Sequence, residues 1–488
     1  MSDAWDPMDY GQDYDFSKPF FEQFKELFDK VPRLNLFQVN STNSDYSNII
    51  RDCKDVYLSY SVVVGEDVHY SKNVDRSRQI VDCLCINDCE NCFNLVYGAN
   101  NYNVIYSVIV RSCLNSAFLF DCVGCSNCFM SSNLRNKQYV YKNQQYTKEE
   151  YNKLIEKINL GNFDTFSECV VEFEKIKLYA IHRFADIFKS VDSTGNALGN
   201  TKNAKNCFEA YDIENVKYVS RSFAIKDSMD VNNTGLGSEL VYEYTSGGAR
   251  LQRVIGSLAA LNPLSESYYS GWCGSSSNLF GCFGIRNKKF CILNKQYTED
   301  EYKNILPKII IHMNEVLYVG KNDRVYKFGE FFPIELSPFA YNGSVAQEHL
   351  ILTEKQIKDF GFNYTEKEEK NYQISKKTED IPNSIKEVDD SILNEIIECT
   401  HKGNCLHQCT TAFKITKEEL SFYKKVNLPL PRICPNCRHY KRLEYRNPWK
   451  LWHRSCMNEG CNNEFETSYS PDRPEKVYCE KCYQQEVL

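Results

Sequence analysis

The chain is predicted to be mainly β with α-helical caps: two tandem parallel β-solenoid-like modules followed by a C-terminal pair of zinc-binding modules. Three observations predict this. A twelve-residue period runs without gaps through 53–136, its closing motif recurs later in the chain, and two cysteine quartets crowd the C-terminal end. At 488 residues the chain is too long for one ordinary core, and its 42% hydrophobic and 25% charged residues fit a soluble globular protein.

Residues 1–45 read as an acidic tail, mobile over 1–17, and an amphipathic helix at 19–31 placed to cap the first solenoid. Residues 46–146 are the first solenoid. Its units open at Cys53, Gly65, Ser77, Cys89, Asn101, Cys113 and Cys125. The third position is Asp, Asn or Gln in each, and the fourth is Val56, Val68, Ile80, Cys92, Val104, Ser116 or Cys128. Small residues and a polar turn residue kept in register mark a β-solenoid, with a short strand and a corner per unit. The period alone leaves open whether one coil takes one unit or two.

The pairs Cys89/Cys92 and Cys125/Cys128, with Cys122 nearby, have the spacing of metal knuckles. Yet Cys53, Cys89, Cys113 and Cys125 share the first column of the repeat, and Cys92 and Cys128 share the fourth. Cysteine is small and readily buried, so stacked thiols account for this spacing better than a metal or iron–sulfur site.

Residues 147–203 read as a helical connector opened by the capping box Thr147/Glu150, with Cys169 and His182 as core or surface residues. The second solenoid, 204–297, keeps the period at Val216, Ser228 and Leu240, and again at Ser267, Leu279 and Cys291. A glycine-rich section between these stretches breaks the register. Its end, from Arg286 to Tyr297, repeats the motif from Arg135 to Tyr146, and Thr298/Glu301 forms a matching capping box. Residues 298–362 hold that capping helix, kinked or divided at Pro307, and a compact segment punctuated by proline and glycine. Residues 363–396 have the charge of a linker and few apolar anchors.

Residues 397–488 read as a double zinc-binding module. Cys456-x4-Cys461 and Cys479-x2-Cys482, seventeen residues apart, have zinc-ribbon spacing. Four thiolates gathered this way make a closed tetrahedral Zn²⁺ site. The upstream quartet is Cys405, Cys409, Cys434 and Cys437, around a helix opened by Thr416 and Glu419. Cys399, His401 and His407 are also within reach, and close spacing favours Cys405 and Cys409. Two Zn²⁺ ions are expected, both structural, because four sulfurs leave no open position for water or substrate. A segment this small buries too little apolar surface to fold without them.

Charge is uneven along the chain. Residues 398–488 carry 15 Lys/Arg and 11 Asp/Glu, whereas the whole chain has a net charge of −7. Arg438, Lys441, Arg442, Arg446, Lys450 and Arg454 alternate with Trp449 and Trp452, the composition of a phosphate-binding and base-stacking surface. The alternative is that these aromatics pack the small metal-site cores and the cations solvate them.

The segments Asn427-Leu-Pro-Leu-Pro-Arg-Ile-Cys-Pro-Asn-Cys-Arg-His, Arg446-Asn-Pro-Trp-Lys-Leu-Trp-His-Arg and Val477-Tyr-Cys-Glu-Lys-Cys-Tyr, with the repeated Asn-Lys-Gln-Tyr, resemble a family of uncharacterised cysteine-rich zinc-ribbon proteins (CxxC-x17-CxxC type) of genome-reduced bacteria. The resemblance runs from about residue 30 onward and implies zinc ribbons but no activity. The second solenoid of this chain has few cysteines, which speaks against a metal role common to both solenoids.

The functional expectation is a non-enzymatic zinc-ribbon protein that docks on nucleic acid or a ribonucleoprotein through its basic aromatic module. One rival is an assembly protein acting through protein–protein contacts of the solenoids. Another is a zinc-dependent nuclease or solenoid-type carbohydrate enzyme. The chain has no HExxH, no P-loop, no GxGxxG on a βαβ unit and no nucleophile elbow; His439 and His453 merely flank the cysteine quartets. No apolar run approaches the ~18–20 residues that span a bilayer, so no membrane insertion is expected. The acidic N-terminus lacks a secretory signal, which points to the cytoplasm. In that reducing setting, 23 cysteines, an odd number, read as metal ligands and buried thiols rather than a disulfide framework.

Overall fold

The computed structural model describes residues 5–366 and 372–488. Strands of the first solenoid pair in parallel with the residues twelve positions on: Tyr60 with Lys72, Tyr102 with Leu114, and Ser126 with Gln138. One coil therefore takes one twelve-residue unit. Within the coil the finer period is three. Ile49, Asp52, Asp55 and Leu58 all have positive φ, and the residue after each (Ile50, Cys53, Val56, Ser59) is buried. Each coil thus has four short sides, with a left-handed αL corner before every inward residue.

Most L residues give up about 1–2 kcal/mol in that conformation, and Asn and Asp adopt it most readily. This explains the polar third position of the repeat: Asp55, Asp67, Asn91, Asn103 and Asn115 all occupy such corners. The asparagine amides stack from coil to coil. Asn91 Nδ2 donates to Asn103 Oδ1 at 3.1 Å, and Asn103 Nδ2 to Asn115 Oδ1 at 2.9 Å.

The interior is a narrow stack of Val, Ile, Leu, Cys and Ser. Serine and cysteine interchange there because one hydrogen-bond pattern serves both. Ser47 Oγ accepts the Ser59 N–H at 3.1 Å and donates to Val56 O, nine residues on, at 3.1 Å. Cys113, Cys122 and Cys128 donate in the same way to Cys122 O, Ser131 O and Lys137 O at 3.6, 3.9 and 3.6 Å. Apart from Cys85, which sits at a corner and accepts a hydrogen bond from Asn73 Nδ2, the solenoid thiols are stacked and hydrogen-bonded to backbone, as buried polar groups must be.

The second solenoid begins at Ile187–Phe188, ahead of the boundary at 204 set by periodicity. Its offset is twelve at Glu214↔Lys226, thirteen at Glu239↔Gln252 and twelve again at Ser277↔Lys289. The extra residue enters at a bulge where Phe223 pairs with Gly235 but Ile225 pairs with Ser238. It shifts the inward column by one. Val241 is buried, whereas Leu240, expected inside, sits at a corner with φ 56° and is exposed. Ser267, Leu279 and Cys291 are buried as the period requires.

Both capping boxes form, at Lys148–Ile155 and at Glu299–Glu315, and the latter helix continues through Pro307 rather than dividing. The helix Phe20–Lys30 does not cap the first solenoid. Its Phe20, Phe21, Phe24 and Phe28 pack with Tyr269, Phe280 and Phe283 of the second. Gly281 makes room for it, since a Cβ there would lie 2.8 Å from the Phe20 ring. The tail expected to be mobile is tied to the same end over 5–17. Asn294 Nδ2 donates to Pro7 O at 2.9 Å, Gln12 N–H to Leu293 O at 3.1 Å, and Tyr14 OH meets His312 Nδ1 at 2.9 Å.

The stretch expected to be a linker is also packed where it is described; 367–371 lie outside the described residues. Ile381, Ile385, Val388 and Ile392 enter one core with Tyr70, Val81 and Phe93 of the first solenoid and with Cys434 and Cys437. These four aliphatics lie three to four residues apart, enough to anchor a chain of short 3₁₀ turns despite the surrounding charge.

Candidate metal centres

The Sγ atoms of Cys456, Cys461, Cys479 and Cys482 all lie within 4.8 Å of one another. Four sulfurs bound tetrahedrally at ~2.3 Å from one ion stand about 3.8 Å apart, and Cys461 and Cys479 are 3.9 Å apart. The antiparallel hairpin of Trp452–Ser455 and Glu464–Thr467 presents the first pair. Cys479 is the N-cap of the helix Glu480–Val487, and its N–H donates to Cys456 Sγ at 3.3 Å. Burial opposes ionisation of the Cys479 thiol, but hydrogen bonds from the Cys482 backbone, Asn463 and the neighbouring thiols prevail and bring it down to about 7. A helix N-terminus favours a thiolate in the same way.

The upstream centre repeats this construction. Cys434 is the N-cap of Pro435–Leu443, and its N–H donates to Cys399 Sγ at 3.2 Å. Cys399 thus stands where Cys456 stands in the terminal ribbon. The four-sulfur group is Cys399, Cys409, Cys434 and Cys437, with Cys399 4.0 Å from Cys437 and Cys434 4.0 Å from Cys409. Cys405, favoured by spacing, is displaced from this set. The reason is a two-strand pairing of Ile397–Glu398 with Ala412–Phe413, which brings Cys399 opposite Thr411 beside Cys409. Cys405 lies in the intervening loop and approaches Cys437 from another side, at 3.8 Å.

The basic stripe faces mostly inward. Arg438 and Arg442, one turn apart on Pro435–Leu443, are 7% and 2% exposed. Arg442 Nη1 donates to Asp82 Oδ1 of the first solenoid at 2.6 Å, and its Nη2 to Tyr70 O at 2.9 Å. Arg438 pairs with Asp82 at 3.3 Å and with Glu419 at 2.8 Å, and Tyr70 OH donates to Glu419 Oε2 at 2.9 Å. Arg446 donates to Glu348 O at 3.0 Å, and Arg454 to Ser470 O at 3.2 Å. Trp449 lies tilted against His349, ring centroids 4.0 Å apart, and under Arg221 at 5.3 Å. Lys441 and Lys450 remain exposed, with Lys450 Nζ 5.1 Å above the half-buried Trp452 ring. The eight residues therefore do not form one continuous surface. An amphipathic helix aims its arginines at a buried acid, and composition cannot distinguish that from a phosphate site.

The two flanking histidines are also occupied. His439 meets Glu348 at 3.3 Å, and Glu348 pairs with Lys72 at 2.6 Å, in the wall of a cleft of ≈ 440 Å³ lined by Tyr60, Tyr70 and Asn436. His453 is exposed on the ribbon hairpin between Glu464 and Glu466. Of the two positions the sequence left open for it, core or surface, His182 takes the core, and burial lowers its pKa to about 4.

The ribbon is docked as well. Ile181–Arg183 of the connector pairs in parallel with Lys476–Tyr478, and Tyr483 OH hydrogen-bonds Asp121, which Arg135 also engages. Asp82 and Asp121 are the acids that sequence reasoning missed, and Glu419, read only as a helix-opening residue, is the third. Asp82 and Asp121 look like any other polar corner of the coil, both at positive φ. Fold and clusters together define a β-solenoid protein with C-terminal cysteine centres able to hold metal ions. No protein-family model matches the chain, and no curated protein matches it.

Proposed function

We propose that this protein is a non-enzymatic, zinc-fastened scaffold whose solenoid faces engage protein partners. The observation that carries this reading is the burial of Arg438 and Arg442 on Asp82, which turns the metal module into a clasp on the first solenoid. Zinc fits both four-sulfur groups, since tetrahedral thiolate sites select it and need no further ligand. Such a site has no open position for a reacting water. The outer surface of the second solenoid supports the partner assignment. Phe188, Tyr211 and Phe223 are exposed in one column, with Gly199 on the coil between Phe188 and Tyr211, and Tyr211 and Phe223 are directly paired. Stacked exposed aromatics of this kind mark interaction surfaces.

The resemblance to zinc-ribbon proteins of genome-reduced bacteria agrees with a structural role for zinc. Among the described residues no disulfide joins any of the cysteines, which suits a reducing cytoplasm. Among the described residues no helix is long and apolar enough to cross a membrane.

A second reading keeps nucleic acid as the partner, through the exposed Lys441 and Lys450 with Trp452 and Arg454. Lys450 over Trp452 favours it, as a base-stacking ring beside a phosphate-binding cation. Native purification with zinc analysis, light scattering and assay for bound nucleic acid separates the two. The scaffold reading expects zinc, no nucleic acid and a defined protein assembly. Bound nucleic acid released steeply by salt replaces it with the second reading.

A further inference from the structure

We propose that residues 399–437 build a binuclear metal centre in which the Cys437 thiolate bridges two ions. One ion takes Cys399, Cys409, Cys434 and Cys437; the other takes His401, Cys405, His407 and Cys437. In each set the four donor atoms lie within 4.8 Å of one another, and Cys437 belongs to both. His401 Nδ1 is 3.2 Å from Cys437 Sγ, and Cys405 Sγ is 3.8 Å from it, separations that suit donors sharing one tetrahedral ion.

Two features of the second set ask for a cation. His407 Nδ1 is buried and has no hydrogen-bond partner. Its other nitrogen, Nε2, faces the Glu444 carboxylate at 3.7 Å, the outer-shell arrangement that orients a metal-bound imidazole. The ring is fixed by stacking on Tyr440 at 5.6 Å and 8°. The pattern Cys399-x-His401-x3-Cys405-x-His407-x-Cys409 supplies the outer ligands from one loop. Its ends, Cys399 and Cys409, serve the first ion, and its middle serves the second.

The inference rests on the reading of the upstream four-sulfur group as a metal site, and adds an ion to it. The test is metal stoichiometry of the full chain by elemental analysis, together with cobalt substitution. Three ions per chain are expected in the native protein and two in the double variant H401A/H407A. In the Co²⁺-loaded native protein, exchange coupling through a shared sulfur should quench part of the paramagnetic signal, and this readout needs no variant. Two ions in both proteins, with uncoupled cobalt, overturn the bridge while leaving the single upstream site intact. One ion or none in the native chain overturns the four-sulfur reading as well.

Discussion

The cysteines of the solenoids and those of residues 399–482 differ less in spacing than in what their sulfurs meet. Cys89/Cys92 and Cys125/Cys128 have the same CxxC interval as Cys434/Cys437 and Cys479/Cys482. In the solenoids, coil geometry points every third side chain into a stack, and these four thiols donate to the carbonyls two residues back. In the C-terminal region the second pair of each centre opens a helix, and the first Cys of each helical pair donates its backbone N–H to a sulfur of the first pair. The sulfurs then converge on one point. A CxxC interval therefore has no fixed meaning; the backbone around it decides.

Metal removal should break this comparison most widely. Structural zinc contributes on the order of 10 kcal/mol to small modules, so a chelator or C434S should unfold the C-terminal module and leave solenoid circular dichroism in place. Asp82→Ala comes next. Leaving Arg438 and Arg442 buried without their shared acid costs about 3–5 kcal/mol, which denaturant melts should report as undocking of the module with its metal retained. Cys92→Ser should be the mildest. Serine takes the same hydrogen bonds at equivalent positions, so a change of about 1 kcal/mol is expected, with no loss of metal.

Alkaline pH sharpens the contrast. Burial pushes the solenoid thiols Cys207 and Cys291 up to about 11, above an ordinary value near 9.0. The folded state then holds these protons while the unfolded chain releases them. Solenoid stability should be level below about pH 9 and fall as pH rises from there toward 11. Melting temperatures across that range measure it, and a rise would contradict the assignment.

The twelve-residue coil, the capping boxes and the terminal quartet were legible because each is a local pattern with its own spacing. The triplet beneath the coil was not, because Tyr, Leu and Val also occupy αL corners at Tyr46, Leu58 and Val64, where no propensity announces them. Cys399 was within reach but passed over for Cys405, because its place depends on pairing with residues a dozen positions away. The inward turn of Arg438 and Arg442 depends on Asp82, some 360 residues earlier, and no local reading reaches that far. The N-terminal helix went to the second solenoid because its aromatic face matches Tyr269, Phe280 and Phe283, a long-range match of the same kind.

Hydrogen exchange on the full chain, before and after metal chelation, tests the central claim most directly. The account predicts that residues 397–488 lose protection while the solenoid strands within 38–145 and 187–296 keep theirs. Retained protection in the Cys456–Cys482 ribbon without metal, or loss of protection in the solenoid interior, would contradict it.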